Sequence, residues 1–334
     1  MVLLLGASGY IGRAFGRELR RRGCCFVPLS REAFDYTCFE FLFDYVRRMK
    51  PEFLINAAGY AGWPSEDACE VAHEEALWAN TILPQTIGRV CMMTNTPWGH
   101  VSSGSVFIGA KVVENGRLRI ERDLGDPGVR DLYQQDATRF YGFSETDEPN
   151  HSFRHAPCSF YSGTKALAEE AVKDLGQNYI WRPRLPFNEE DEPCNWLSEL
   201  QRCPRVCDRL NSVSHLDDAV RACLDLWERR APYGFYNVAN PGAVGTRQVV
   251  ESIQRVLKLR QPLDWLEDDV EPGSGEGPAG RHGCLLDVSK LLAAGVRMRP
   301  AAQAIEDALE KWSPAASKPM HAPEGAPEPL PAAG

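Results

Sequence analysis

The chain opens on an apolar run, Val2-Leu3-Leu4-Leu5, that meets glycines at Gly6, Gly9 and Gly12, with helix-forming sequence over residues 13–22. A strand that feeds a helix through a G-x-x-G-x-x-G turn has few uses for so much missing side chain. Its backbone N–H groups can approach a pyrophosphate at the helix N-terminus, where the helix dipole favours an anion. The spacing predicts a dinucleotide turn made by Gly6, Ser8, Gly9, Tyr10, Ile11 and Gly12. It also commits the chain to α/β architecture from its first residues.

The first half continues in that rhythm. Residues 25–29 read as a second strand, 40–49 as a helix, 53–56 as a strand and 70–90 as helical. Residues 99–107 contain another strand, ending in Ser102 and Ser103, and 178–182 read as a later one. This alternation predicts a Rossmann-type doubly wound parallel sheet with helices on both faces. Further on, Pro183, Pro186 and Pro193 break the pattern. Helices are expected over 216–229 and 246–259, the second opened by Thr246 as N-cap, with a short strand over 235–239. The expected organisation is a cofactor domain over 1–180, to which segments around 210–240 return, and a smaller C-terminal substrate-binding α/β lobe over 181–312. Residues 273–283 are glycine-rich and expected to be mobile, and the Pro- and Ala-rich stretch 313–334 is expected to be a disordered tail. Residues 109–143 are long and charged for a connection inside a domain. A lid or oligomer contact and a solvated insertion are equal expectations there.

Composition closes some doors. A net charge of −9 argues against nucleic acid held by charge. No apolar run reaches membrane-spanning length, and the N-terminus lacks a basic lead, so a cytoplasmic protein is expected. The eleven cysteines form no C-x-x-C and the seven histidines no cluster, so no metal site is predicted and reduced thiols are expected.

Tyr161 and Lys165 stand one helical turn apart on one face of a predicted helix, placing an ammonium beside a phenol. A cation lowers a phenol's pKa, and a phenol so tuned exchanges protons with an alcohol or ketone. Asn56-Ala57-Ala58-Gly59 follows a strand where backbone can meet a cofactor, and Ser102-Ser103 ends another where a hydroxyl can hold a substrate oxygen. Ser30 and Arg31 follow the second strand, at the adenosine ribose. Arg31 can pair with a 2′-phosphate, which favours NADP over NAD.

Taken together these pieces resemble the extended short-chain dehydrogenase/reductase family, and within it the dTDP-4-dehydrorhamnose reductase group near the nucleotide-rhamnose epimerase/reductase branch. The residues that carry the likeness are Asn56 to Pro64, Ser144 to Asn150, Ser159 to Lys165, Arg182-Pro183-Arg184-Leu185-Pro186, Asn240-Pro241-Gly242, and Arg281 with Leu286 to Leu291. The resemblance implies an NADP-dependent reductase of a nucleotide-linked 4-keto-6-deoxy sugar. Tyr161 would protonate the carbonyl oxygen as NADPH delivers hydride to C4. Lys165 would hold the nicotinamide ribose and depress the tyrosine pKa, and Ser103 would bond the carbonyl, with Ser102 and Ser105 as competitors. Ser105 stands where the branch carries an acid/base cysteine, which puts epimerisation in doubt while leaving hydride transfer intact. Arg182, Arg184, Arg209, Arg247 and Arg281 are candidates for the nucleotide diphosphate, with Ser105, Arg184 and Arg281 the expected substrate contacts. His215 is expected to cap a helix. A nucleotide-sugar epimerase and a non-catalytic NADP-binding regulatory subunit are the alternatives, and a homodimer is an expected assembly.

Overall fold

The computed structural model describes residues 1–62, 66–259, 264–266 and 282–314. Six parallel strands form its main sheet in the spatial order Gly234–Asn237, Asn178–Arg182, Trp98–Val101, Phe53–Asn56, Val2–Leu5, Phe26–Leu29. Val2 is level with both Phe26 and Phe53, so the N-terminal strand lies between two neighbours. Side chains alternate along each strand. Leu3, Leu5, Leu54, Trp98 and Ile180 face one way, against helices Phe39–Met49 and Leu83–Thr94. Val2, Leu4, Phe53, Tyr179 and Trp181 face the other way, against helices Tyr10–Arg21 and Leu216–Glu228. A parallel sheet covered on both faces is apolar at most positions, which is why these strands read as nearly unbroken runs.

A second cluster in the C-terminal half joins helices Trp196–Arg202, Thr246–Leu257 and Ala301–Glu310 around Trp196, Val249 and Ile305. Asn188 accepts from the Tyr10 hydroxyl at 3.0 Å, and Glu192 pairs with Arg13, so residues 188–195 run beside the start of the first helix.

Several expectations change. Residues 70–90 are helical from His73 onward, as expected, but not as one regular α-helix. A 3-10 turn (Glu66–Glu70), helix His73–Leu77, a π turn (Trp78–Ile82) and helix Leu83–Thr94 follow one another. Pro84 sits in the first turn of the last of these and can donate no backbone hydrogen bond, which interrupts the regular ladder. Residues 109–143, expected as a lid, an oligomer contact or a solvated insertion, have secondary structure of their own. They form a three-stranded antiparallel sheet, Arg117–Glu121, Ala110–Glu114 and Phe140–Tyr141, followed in part by helix Pro127–Gln135. Asn115 and Gly116 both have positive φ at the two-residue hairpin turn, the backbone that this residue pair favours. Leu124 and Val129 pack with Leu210 and Leu285, and the Gly109 and Leu285 backbones bond at 3.0 Å, so the insertion is fastened into the C-terminal half.

Thr246 is not an N-cap. Gly245 holds that position, and the Thr246 hydroxyl donates to the Arg209 carbonyl instead. Ser313 does not belong to a disordered tail, because it exchanges backbone bonds of 2.8 and 3.0 Å with Glu189 and Asp191. Residues 315–334, Arg281 and most of 273–283 lie outside the described residues. Among the described residues no helix is long and apolar enough to cross a membrane.

Candidate active site

The glycine turn, Ser30, the Ala57–Gly59 loop and Ser103 follow directly on the carboxyl ends of parallel strands, the edge where open α/β sheets hold ligands. The glycine turn comes first. Gly6 has φ +73°, and a Cβ there would stand 2.5 Å from the Ala58 backbone nitrogen. A Cβ on Gly12 would stand 2.0 Å from the Gly6 carbonyl oxygen. These two glycines are therefore required by the turn itself and by its contact with the Asn56–Gly59 loop. Gly9 differs, since a Cβ there would meet only the Gly6 oxygen, at 3.4 Å. Its bare face, next to exposed Ser8, opens outward. Gly9 caps helix Tyr10–Arg21 with no side-chain bond, and the first helical bond is Arg13 N–H to Gly9 O. The N–H groups of Tyr10, Ile11 and Gly12 thus have no helical acceptor. An outward-facing helix N-terminus lined by bare backbone fits a dinucleotide pyrophosphate. Ile11 also borders a small apolar cavity with Val101 and Pro183. Ser30 begins the turn after Leu29, and Arg31 beside it is exposed.

The Asn56 side chain is fully buried and serves the loop. It accepts from Ala58 N–H at 3.0 Å and donates to His100 Nδ1 at 3.1 Å. The π turn supplies a residue that the sequence did not single out. Asn80 accepts from Tyr60 N–H at 2.9 Å and donates to the Tyr60 carbonyl at 2.8 Å and to Thr164 Oγ1 at 3.2 Å. It thereby ties the cofactor-side loop to helix Phe160–Val172.

That helix is capped by Ser159, whose hydroxyl accepts from Ser162 N–H at 3.1 Å. Tyr161 and Lys165 are both buried on it. Lys165 Nζ lies 5.8 Å from the Tyr161 ring centroid and donates to the Val101 carbonyl at 3.4 Å. A Cβ on Gly59 would be 3.2 Å from the same Nζ, so the ammonium sits between the glycine-side loop and the strand that ends before Ser102.

The three serines separate cleanly. Ser102 donates to Glu169 Oε1 at 2.6 Å, and Glu169 makes a two-point ion pair with Arg182, at 2.9 and 2.7 Å. Ser102 is therefore engaged below the site. Ser103 and Ser105 face each other, hydroxyl to hydroxyl, at 2.7 Å, and Ser105 N–H also donates to Ser103 Oγ at 3.2 Å. Glu169 escaped the sequence reading, although its spacing of one further turn beyond Lys165 is a signal that could have found it.

The arginines are less open than expected. Arg182 is buried with Glu169 and stacks near Phe107 and Phe235, which removes it from the diphosphate candidates. Arg184 is buried and donates to Asn211 Oδ1 at 3.3 Å and to the His282 carbonyl. Arg209 pairs with Asp123 at 2.7 Å, and Arg247 pairs with Asp208 at 3.0 Å while lying over Trp265. His215 caps helix Leu216–Glu228.

A glycine cradle at the sheet's carboxyl edge beside a serine, tyrosine and lysine defines the extended short-chain dehydrogenase/reductase class of oxidoreductase. Within that class, the chain belongs to the RmlD substrate binding domain family, whose model matches residues 1–311. It is 27% identical over 290 residues to a bifunctional dTDP-4-dehydrorhamnose 3,5-epimerase/dTDP-4-dehydrorhamnose reductase of Arabidopsis thaliana, covering 86% of this chain and 85% of that one. It is 26% identical over 290 residues to a trifunctional UDP-glucose 4,6-dehydratase/UDP-4-keto-6-deoxy-D-glucose 3,5-epimerase/UDP-4-keto-L-rhamnose-reductase of the same plant. That match covers 86% of this chain but only 38% of the relative's length. The solved L780 UDP-rhamnose synthase of Acanthamoeba polyphaga mimivirus shares the fold, with a TM-score of 0.76 at 20% identity over 93% of this chain and 98% of that one.

Proposed function

We propose that this protein reduces the C4 carbonyl of a nucleotide-linked 4-keto-6-deoxy sugar with NADPH. The observation that carries the reading is the hydrogen-bond state of Ser103. Its oxygen faces both the N–H and the hydroxyl of Ser105. With both donating, its acceptor positions are filled and its own proton is left for a third partner. A carbonyl oxygen beside Tyr161 is that partner. NADPH, when bound, supplies the hydride that reduces the carbonyl carbon. The Ser103 hydroxyl donates to the carbonyl oxygen as negative charge grows there. The Tyr161 hydroxyl gives its proton to that oxygen, its O–H bond breaking as the alcohol O–H forms. Lys165 holds the resulting phenolate and the cofactor ribose. The glycine turn holds the pyrophosphate, with Ser30 and Arg31 at the adenosine end. Residues 1–180 carry the cofactor and 181–312 the sugar nucleotide, with Arg184 and Arg281 on the substrate side.

The two Arabidopsis thaliana relatives combine reduction with epimerisation, which needs a proton-shuttling group near the sugar ring. Here Ser105 is engaged with Ser103 and is a poor base at neutral pH. We read the chain as a reductase without the epimerase step. Purified protein mixed with NADPH and a panel of UDP- and dTDP-linked 4-keto-6-deoxy sugars is expected to consume NADPH with at least one of them. NADPH binding without consumption across the panel would favour a regulatory subunit and defeat the reductase reading.

A further inference from the structure

His151 belongs to none of the motifs above, yet it touches both halves of the proposed catalytic set. It is 3% exposed. Its Nδ1 lies 2.9 Å from the Ser105 carbonyl oxygen, and its Nε2 lies 3.3 Å from the backbone nitrogen of Ser159. The Ser159 N–H can only donate, so Nε2 must accept and the ring proton belongs on Nδ1, where it donates to Ser105. Both nitrogens are satisfied by backbone, which excludes His151 as a proton shuttle. Its neighbour Asn150 clamps Ile108 with two bonds of 2.9 Å, and His151 N–H donates to the Val106 carbonyl at 3.0 Å. The segment 150–151 is thus fastened to the turn carrying Ser103 and Ser105, and the imidazole continues from that turn to the cap of the helix carrying Tyr161.

We infer that His151 is a positioning residue that sets the separation between the Ser103–Ser105 pair and Tyr161 by bridging the Ser105 carbonyl to the Ser159 N–H. This rests on the reductase reading for its kinetic consequence, though the bridge itself does not. The buried Ser105 carbonyl and the part-buried Ser159 N–H, 54 positions apart in number, would otherwise each need another partner. An acid/base geometry that drifts by about 1 Å loses on the order of 100-fold in rate. The groups facing the ring are Arg184, Arg122 and the His282 ring, whose centroid lies 5.0 Å away edge-on. Burial, with the two arginine charges, pushes the imidazole down to about 4 against the opposing bond to Ser105, so the neutral bridging form holds at ordinary pH.

Two measurements test the bridge. The first uses nitrogen-15-labelled wild-type protein, with the His151 signals assigned by their loss in His151→Gln. The proton is expected on Nδ1, and a ring protonated on Nε2 overturns the inference whatever the enzyme does. The second is steady-state kinetics of His151→Phe and His151→Gln. His151→Phe is expected to lower kcat by about tenfold or more with NADPH affinity changed less than about twofold. Glutamine can offer an N–H and a carbonyl across a similar span, so His151→Gln is expected to recover to within about threefold of wild type. Equal kcat in all three proteins, or His151→Gln as impaired as His151→Phe, overturns the positioning role. A wild type inactive on every nucleotide sugar defeats the reductase reading alone, because the tautomer measurement still decides the bridge.

Discussion

Ser103 and Ser105 sit in one turn of chain, yet the proposed mechanism gives them unequal work. Ser103 Oγ accepts from the Ser105 N–H, and in the proposed mechanism it also accepts from the Ser105 hydroxyl, which leaves its own proton as a directed donor. Ser103→Ala is expected to lower kcat by roughly 100-fold, and Ser105→Ala by about tenfold, with little change in NADPH affinity. Steady-state kinetics with cofactor titration checks both, and equal losses would contradict the ordering. One layer below, Ser102, Glu169 and Arg182 share a buried network. Removing one charge of a buried pair strands the other, so Glu169→Gln is expected to destabilise the protein by about 3–5 kcal/mol, read from chemical denaturation. Of these residues, Ser103, Tyr161 and Lys165 could be proposed from the sequence because their motifs are local. His151 and Glu169 bond partners 46 and 67 positions away; no spacing rule reaches His151, whereas Glu169 follows Lys165 by one helical turn.

At the scale of elements, the strands Phe53–Asn56 and Asn178–Arg182 were legible residue for residue, because burial on both faces leaves a short apolar run with clear ends. The π turn was not, because Trp78–Ile82 keeps helical periodicity and the interruption comes from Pro84 downstream. The insertion was marked out by its length and charge, but its secondary structure was missed for another reason. Its strand Arg117–Glu121 is exposed and charged, and Asn115-Gly116 was its one clear local signal. The glycine turn carries its own test. A Gly12→Ala side chain would collide with the Gly6 carbonyl, so loss of NADPH binding is expected by calorimetry, and unchanged affinity would contradict the cradle. The first helix also bears on pH. Glu18 bonds Arg21 and Arg22, while Arg22 reaches Asp225 and Glu228 on helix Leu216–Glu228. The bond to Arg21 leads in holding its carboxyl down at about 2. The folded pKa lies below the unfolded value of about 4.5, so this stabilisation is complete above that pH and is lost as pH falls toward 2. Thermal melts of Glu18→Gln are expected to show a shallower acid slope than wild type over that window.

For the whole molecule, the expected Rossmann-type sheet is present, and the parts that move the account forward are where later chain returns to it. Gly234–Asn237 closes the sheet's edge beside Asn178–Arg182, and residues 188–195 run past the start of the first helix. The proposed cofactor cradle and the proposed acid therefore stand on one carboxyl edge, held by elements from both halves of the chain. The central claim is that this edge delivers hydride to C4 of a nucleotide-bound sugar while Tyr161 delivers the proton. The most direct measurement follows deuterium from NADPH labelled at the transferring position into the sugar product by NMR, for wild type and Tyr161→Phe. The account predicts deuterium at C4 with wild type and a rate lower by about 100-fold or more with the variant. No deuterium at C4, or transfer at the wild-type rate in Tyr161→Phe, would contradict it.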